Sequence, residues 1–353
     1  MLQYNKGKQM HNMAERKMPE VGSMKNILII NTGGTFSSQA SGHGLAPSIT
    51  GEEIMSRLGI VSEDISVTVE DYCSLDSANI MPEDWVSLAG RIAECLADYD
   101  GFIVIHGTDT LAYTSSMLSF MLQNIHVPVV VTGSQMPLNM PLSDAIMNLQ
   151  CAVWMAASGV PGVFVAFDRK IMLGCRTSKV RTVSFNAFES INCPYVGEVN
   201  AFGLQLYTDR RTKRARLSLQ TEYSDKIAVL KVFPGMDLDI FSFLQDHGYE
   251  GVYIEGFGLG GLPFLRRDIT AEIRKASDRG LPILVGSQCR YEGSDLSVYE
   301  TGQRIIDCGG IPVYDMTQEA VVTKLMWVLG QTRKYDQIRW LFGSDLVGEV
   351  TLK

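Results

Sequence analysis

Five apolar runs of β type, with stretches of helical periodicity between them, do most to limit the folds open to this 353-residue chain. They lie at 26–31, 65–71, 101–106, 127–132 and 162–168. Strands that are apolar on both faces and alternate with helices predict a parallel sheet covered on both sides. Right-handed crossovers then bring the loops that follow the strands to one edge of that sheet. Thr50-Gly-Glu-Glu53 reads as a capping box, and Met81-Pro82-Glu83-Asp84 sets a proline at a first helical position with acids in the first turn. Leu111–Gln123 and Ser143–Ser158 are the other helical stretches of this half.

Residues 208–225 are charged and carry no long period, which predicts a linker or edge hairpin at a domain boundary. From Lys226 the alternation resumes, with strands expected at 227–233, 251–255, 282–286 and 311–315. Helices are expected near 237–247, 268–279, 300–307 and 317–330. The expected architecture is α/β with two domains. A larger N-terminal domain over 24–210 has a mostly parallel sheet flanked by helices. A linker over 211–225 leads to a smaller Rossmann- or flavodoxin-like parallel sheet over 226–353. Residues 1–23 are polar and lack an apolar h-region, so they read as a disordered leader, with Met24 a natural beginning.

Composition narrows the function. A formal charge of −8 gives no basic face for nucleic acid. No apolar run reaches the ~20 residues that a membrane span needs. The seven cysteines show no C-x-x-C and no Cys/His spacing of a zinc site, which points to a reducing compartment, the cytoplasm, and to no metal.

Four loops follow the first four strands: Gly33-Gly34-Thr35, Leu75-Asp76-Ser77, His106-Gly107-Thr108-Asp109-Thr110 and Gly133-Ser134-Gln135-Met136. The carboxyl edge of an open α/β sheet is where ligands bind. These loops offer small hydroxyls, one or two carboxylates and glycines that let backbone approach a ligand and donate N–H groups to an oxyanion. Each also has a plain structural reading: a tight turn for Gly-Gly-Thr, a helix N-cap for Thr108-Asp109, an Asx turn for Asp76-Ser77. Together they predict a site for a small polar molecule. A hydroxyl nucleophile needs a base. His106 ends an apolar strand and reads as a core histidine. A G-x-S-x-G elbow is missing, which disfavours a Ser-His-Asp hydrolase. Lysine serves as a base where burial lowers its pKa, and Lys179 lies among hydroxyls in Cys175-Arg176-Thr177-Ser178-Lys179. Gly256-Phe-Gly-Leu-Gly-Gly261 matches G-x-G-x-x-G in form. Pro263 follows and the next helical pattern starts near Ile269, so a close-packed loop is expected there rather than a pyrophosphate site.

Thr32-Gly-Gly-Thr35-Phe, Leu75-Asp-Ser77-Ala-Asn-Ile-Met-Pro-Glu-Asp-Trp85 and Gly101-Phe-Ile-Val-Ile-His-Gly-Thr-Asp-Thr-Leu-Ala-Tyr-Thr114 resemble the bacterial type I, cytoplasmic L-asparaginases. Val131–Pro137, Ala187–Asn192 and Tyr314–Ala320 extend the resemblance over nearly the whole chain from about residue 25. It implies cofactor-free hydrolysis of L-asparagine to L-aspartate and ammonia. Thr35 would attack the side-chain amide and carry the acyl group. Thr108 would be a second catalytic hydroxyl, in a triad with Asp109 and Lys179. The substrate would lie among Gly34, Asp76, Ser77, Ala78, Thr108, Asp109 and Ser134. The resemblance also implies a homodimer or homotetramer with the active site near a subunit boundary.

Two departures stand out. Many members carry a tyrosine in a mobile lid after T-G-G-T, where this chain has Leu45, which leaves Ser37, Ser38 or a tyrosine from elsewhere to activate Thr35. Some cytoplasmic members use an arginine for a second, regulatory asparagine site, where this chain has Glu255, so no switch by that route is expected. Two other readings remain beside the asparaginase. One is an amidotransferase subunit that frees ammonia for transfer-RNA-dependent amidation, disfavoured because such subunits usually carry a further N-terminal domain. The other is a dinucleotide-binding or amino-acid-sensing module without turnover.

Overall fold

In the computed structural model the described residues are 24–41, 44–47, 49–59, 61–208, 210 and 215–352. The leader expected over 1–23 and positions 211–214 of the expected linker lie outside them. In chain order the strands are β1 Lys25–Gly33, β2 Ser38–Ser41, β3 Gly44–Pro47, β4 Ile65–Leu75, β5 Gly101–Ile105, β6 Leu122–Gln123, β7 Pro128–Thr132, β8 Gly162–Phe167 and β9 Lys170–Leu173. There follow β10 Thr177–Lys179, β11 Phe188–Ser190, β12 Gly197–Asn200, β13 Gly203–Leu206, β14 Ser218–Leu219, β15 Ile227–Lys231, β16 Gly251–Gly256, β17 Ile283–Ser287 and β18 Ile311–Pro312. The α-helices are α1 Gly51–Leu58, α2 Pro82–Glu94, α3 Leu111–Met121, α4 Ala145–Ala156, α5 Asp239–Asp246, α6 Ile269–Asp278, α7 Glu300–Asp307, α8 Gln318–Gln331 and α9 Tyr335–Phe342.

The large sheet has the order β13-β12-β9-β8-β7-β5-β1-β4. The strands β4, β1, β5, β7 and β8 run parallel, as their apolar runs predict. Alternate residues explain why both faces are apolar. Leu28, Ile30, Phe102, Val104, Val129 and Val131 enter one core with α2 and α3. Ile27, Ile29, Ile103, Ile105 and Val130 enter the other with α1 and α4. The strands β9, β12 and β13 extend the sheet antiparallel, through hairpins too short to announce themselves as periodic runs.

The small sheet is β15-β16-β17-β18, all parallel, and packs α5, α6 and α7 on one face. Its last strand is shorter than expected, because the chain turns at Tyr314, whose φ is 55°. Its other face joins the first core through α8. Phe120 of α3 stacks on Trp327 of α8 at 5.9 Å between ring centroids. Helix α3 stops at Met121, and Leu122–Gln123 pairs instead with β14, so the connector is drawn back onto the larger sheet domain. The same connector is held from the other side, where Trp327 donates to the Gln220 carbonyl at 3.2 Å. The amphipathic α9, absent from the sequence-based expectation, buries Ile338 and Phe342.

The segment after α9 is clasped rather than trailing. Lys324 of α8 and Glu349 form an ion pair at 2.5 Å with both side chains fully buried. Lys324 also donates to the Ser344 carbonyl, and Glu349 accepts from the N–H groups of Leu346 and Val347. Buried Arg176 donates to the Gly348 carbonyl at 2.7 Å and to Thr351, and pairs with Asp315 at 3.1 Å.

Candidate active site

The four loops expected at the carboxyl edge meet there, and glycine is what lets them meet. Gly34 has φ +75°, and a Cβ built on it would stand 2.3 Å from the Cα of Gly107. A Cβ on Gly107 would in turn stand 2.6 Å from the Cβ of Ser77. Three loops therefore touch backbone to backbone, and Thr35 and Thr108 each follow a contact glycine directly. Replacing Gly34 by alanine forces apart two main chains and is expected to cost about 3 kcal/mol. Gly159→Ala, at φ +71° with open space around it, is expected to cost about 1 kcal/mol from backbone strain alone. Thermal melts of the two variants check the difference.

Three of the four residues named for catalysis are brought into direct contact. Lys179 donates to the Thr108 hydroxyl at 2.8 Å and to the Asp109 carboxylate at 2.6 Å. Its side chain is 18% exposed, whereas that of Asp109 is 65% exposed and open to a ligand ammonium. The Thr108 hydroxyl donates onward to Gln135 Oε1 at 3.3 Å. Gln135 Nε2 donates to the carbonyls of Thr182 and Ser184, so the β7 loop is tied to the segment after Lys179. Thr35 opens a short 3-10 turn, Thr35–Ser37, and is half-buried.

Ser77 is buried and central: its hydroxyl accepts from the Asp109 N–H at 3.2 Å, and its carbonyl accepts from the Thr110 hydroxyl at 2.7 Å. Asp76 caps its own turn by accepting from the Ala78 N–H at 2.8 Å. Ser134 differs from the role expected of it. It is fully buried and its hydroxyl donates to the Met136 carbonyl within its own loop. The glycine N–H groups also differ. The Gly33 N–H donates to Asn31 Oδ1 and the Gly34 N–H to the Leu75 carbonyl, so these two hold the turn rather than await an oxyanion. Of the candidate activators of Thr35, Ser37 is 1% exposed and its hydroxyl is committed to Asn31 at 2.9 Å, which sets it aside.

His106 behaves as a core residue. Its Nδ1–H donates to the Gly107 carbonyl at 2.7 Å, and its Nε2 accepts from Thr114, which in turn accepts from Trp85 Nε1. Burial pulls its pKa below the ordinary imidazole value and keeps it neutral. The G-x-G-x-x-G segment folds on itself, with Phe257 and Gly261 exchanging backbone hydrogen bonds, and α6 starts well beyond it.

Sequence reasoning missed the layer behind Lys179. Arg290 donates to the Ser178 hydroxyl at 2.6 Å and to the Lys179 carbonyl at 3.2 Å. Ser178 donates to Glu319 at 2.7 Å, and burial pushes the Glu319 carboxyl above its usual range. Asp144, also missed, accepts from the N–H groups of Gln135 and Met136 and shapes that loop. Arg290 and Glu319 meet Ser178 and Lys179 across more than a hundred positions, which leaves no local pattern to find.

A hydroxyl, an amine and a carboxylate joined at the carboxyl edge of a parallel sheet form a polar site where α/β enzymes bind their ligands. Comparison with known proteins gives the family. Residues 26–212 match the model "Asparaginase, N-terminal" and residues 226–342 match "Glutaminase/Asparaginase C-terminal domain". The chain belongs to the asparaginase family. It is 39% identical to an L-asparaginase of Thermococcus kodakarensis over 92% of this chain and 99% of that protein. It is 36% identical to a glutamyl-tRNA(Gln) amidotransferase component of Pyrococcus abyssi over 93% of this chain and 77% of that protein. The solved structure of the T. kodakarensis L-asparaginase superposes with a TM-score of 0.88, covering 93% of this chain and 100% of that one at 38% identity. That of L-asparaginase I from Vibrio cholerae does so at 0.83 and 30% identity, covering 94% and 100%.

Proposed function

We propose that this protein hydrolyses L-asparagine to L-aspartate and ammonia through an acyl-enzyme on Thr35. The observation that carries the reading is Lys179, held between the Thr108 hydroxyl and the Asp109 carboxylate at 2.8 and 2.6 Å beside the Gly34–Thr35 turn. Asp109 receives the substrate ammonium, and the Asp76-Ser77-Ala78 turn faces its α-carboxylate. Thr35 Oγ1 attacks the side-chain amide carbon. Thr108 and Lys179 relay the hydroxyl proton, the C–N bond breaks, and ammonia leaves with that proton. Water then adds to the ester, and aspartate departs as the Thr35 hydroxyl is restored. Splitting one amide hydrolysis into two acyl transfers is the advantage of a covalent intermediate.

Purified protein given asparagine alone is expected to release equal amounts of aspartate and ammonia; no release would overturn the reading. Turnover without RNA also separates it from an amidotransferase subunit that works only with transfer RNA. Glutamine, one methylene longer, is expected to be the poorer substrate by about 10–200-fold in kcat/KM. Saturation by asparagine is expected to be hyperbolic, because by the family resemblance Glu255, 6% exposed, takes the place of the arginine that a second asparagine site would use. A sigmoidal curve would refute that expectation. The proposed setting is the cytoplasm, supported by seven cysteines without a disulfide. Among the described residues no helix is long and apolar enough to cross a membrane. A homodimer or homotetramer is proposed from the family resemblance, and light scattering on the eluted protein tests it.

A further inference from the structure

One buried amide holds the turn that carries Thr35 from both sides. Asn31, 4% exposed in β1, donates through Nδ2 to Asp71 Oδ1 at 2.9 Å and to the Ile49 carbonyl at 3.4 Å. Its Oδ1 accepts from the Gly33 N–H at 3.2 Å and from the Ser37 hydroxyl at 2.9 Å. A primary amide has two N–H donors and an oxygen with two lone pairs. All four are used here, and they fix the amide's orientation, since the reversed one would set its NH2 against the Gly33 N–H. Gly33 and Ser37 stand two residues before and two residues after Thr35. The brace continues outward: the second oxygen of Asp71 accepts from the Gly51 N–H at 2.9 Å, where α1 begins, and the Ser37 carbonyl accepts from the Ile49 N–H at 2.9 Å.

We propose that Asn31 is a positioning residue for the reaction: it fixes the Gly33–Ser37 turn and, through it, the placement of the Thr35 hydroxyl. This rests on the reading of Thr35 as the nucleophile. None of Asn31's four hydrogen bonds goes to Ser77 or Asp109, the residues proposed to hold the substrate. Misplacing a reacting group by about 1 Å costs on the order of 10²-fold in rate, so this brace bears on kcat more than on KM.

Asn31→Asp tests it with almost no change of shape. The variant turns an oxygen, in place of Nδ2, toward the Asp71 carboxylate. Two carboxylates this close cannot both be ionised comfortably, and a shared proton relieves them. The other groups nearby are the Cys73 thiol, which donates to the Thr32 carbonyl at 3.5 Å, and Glu52 and Glu53 in the first turn of α1. At neutral pH, kcat of N31D on asparagine is expected to fall about 10²-fold with KM within about 3-fold of wild type. Per folded molecule, the ratio of N31D to wild-type kcat is expected to rise as pH falls toward 5, when the shared proton supplies the missing donor. The N31D/D71N double variant reverses donor and acceptor and is expected to recover most of the kcat at neutral pH. Ser37→Ala, which removes one bond and leaves the core intact, is expected to lower kcat about 5-fold on the same grounds, the worth of one hydrogen bond. A flat ratio across pH, no recovery in the double variant, or an unchanged kcat in S37A overturns the positioning role. Those outcomes leave Thr35 as nucleophile standing, and full turnover by T35A is the separate result that removes the reading beneath.

Discussion

Thr35→Ala is expected to lower kcat on asparagine by about 10³-fold or more, and Thr108→Ala to do nearly the same, because each removes a member of the proposed acyl-transfer unit. The double variant should be little worse than either single one, since groups acting as a unit lose their joint contribution once. Thr35→Ser, which keeps a hydroxyl, should retain measurable turnover. Thr35 is half-buried and Thr108 is buried, so a thermal melt of each variant accompanies its kcat and separates lost turnover from lost fold. The decisive measurement is mass analysis of protein quenched during turnover. An aspartyl ester on Thr35 in wild type, absent in T35A, supports the assignment, whereas an ester on Thr108 would exchange the two roles. Lys179→Met should behave like Thr108→Ala, because Lys179 is the amine bonded to that hydroxyl.

The second large effect concerns stability. Glu349→Ala leaves the Lys324 ammonium fully buried without its carboxylate, a change expected to cost about 3–5 kcal/mol and to lower Tm by about 10 °C. The double variant K324M/E349L removes both charges and should restore most of the loss, since a well-packed apolar pair escapes the desolvation that a buried ion pair suffers. The pair also sets an acid limit. Burial pushes the Glu349 carboxyl up, but the Lys324 charge and hydrogen bond, with the Val347 N–H, outweigh it and hold the pKa below its usual value. A depressed folded-state value contributes stability above the ordinary carboxylate pKa of about 4.3 and loses it as pH falls through the folded value. Wild-type Tm should therefore decline below about pH 4, and E349Q should lack that part of the decline. A Tm that falls equally in both would assign the acid sensitivity elsewhere.

What was legible in the sequence follows from where the physical signal is local. The parallel strands announced themselves because both faces of β1, β5 and β7 are buried, which demands unbroken apolar runs such as Ile27-Leu28-Ile29-Ile30. The loops after them followed from topology, and His106 could be read as a core residue from its place at a strand end. The β9, β12 and β13 hairpins left no comparable trace: their strands have four residues each and pair chiefly through backbone groups. Helix α9 was missed for a similar reason, having eight residues and only two that are buried. In the site, Thr108, Asp109 and Lys179 could be named, but Ser178, Arg290 and Glu319 meet across more than a hundred positions and have no shared pattern. Ser134 shows the opposite failure, since a loop hydroxyl beside a site looks available until its own backbone is seen to hold it.

The clasp around Arg176 bears on when the protein becomes competent during synthesis. Arg176 stands three positions before Lys179, and its guanidinium is held by Asp315, the Gly348 carbonyl and Thr351. A ribosome delivers the Thr35 loop well before the lysine strand. The partners that fix that strand follow it by 139 to 175 residues. A nascent chain can thus assemble the large sheet early yet hold Lys179 loosely until the clasping segment emerges. On the proposed assignment, the onset of turnover is then timed by synthesis of the clasp rather than of Thr35, Thr108 and Lys179.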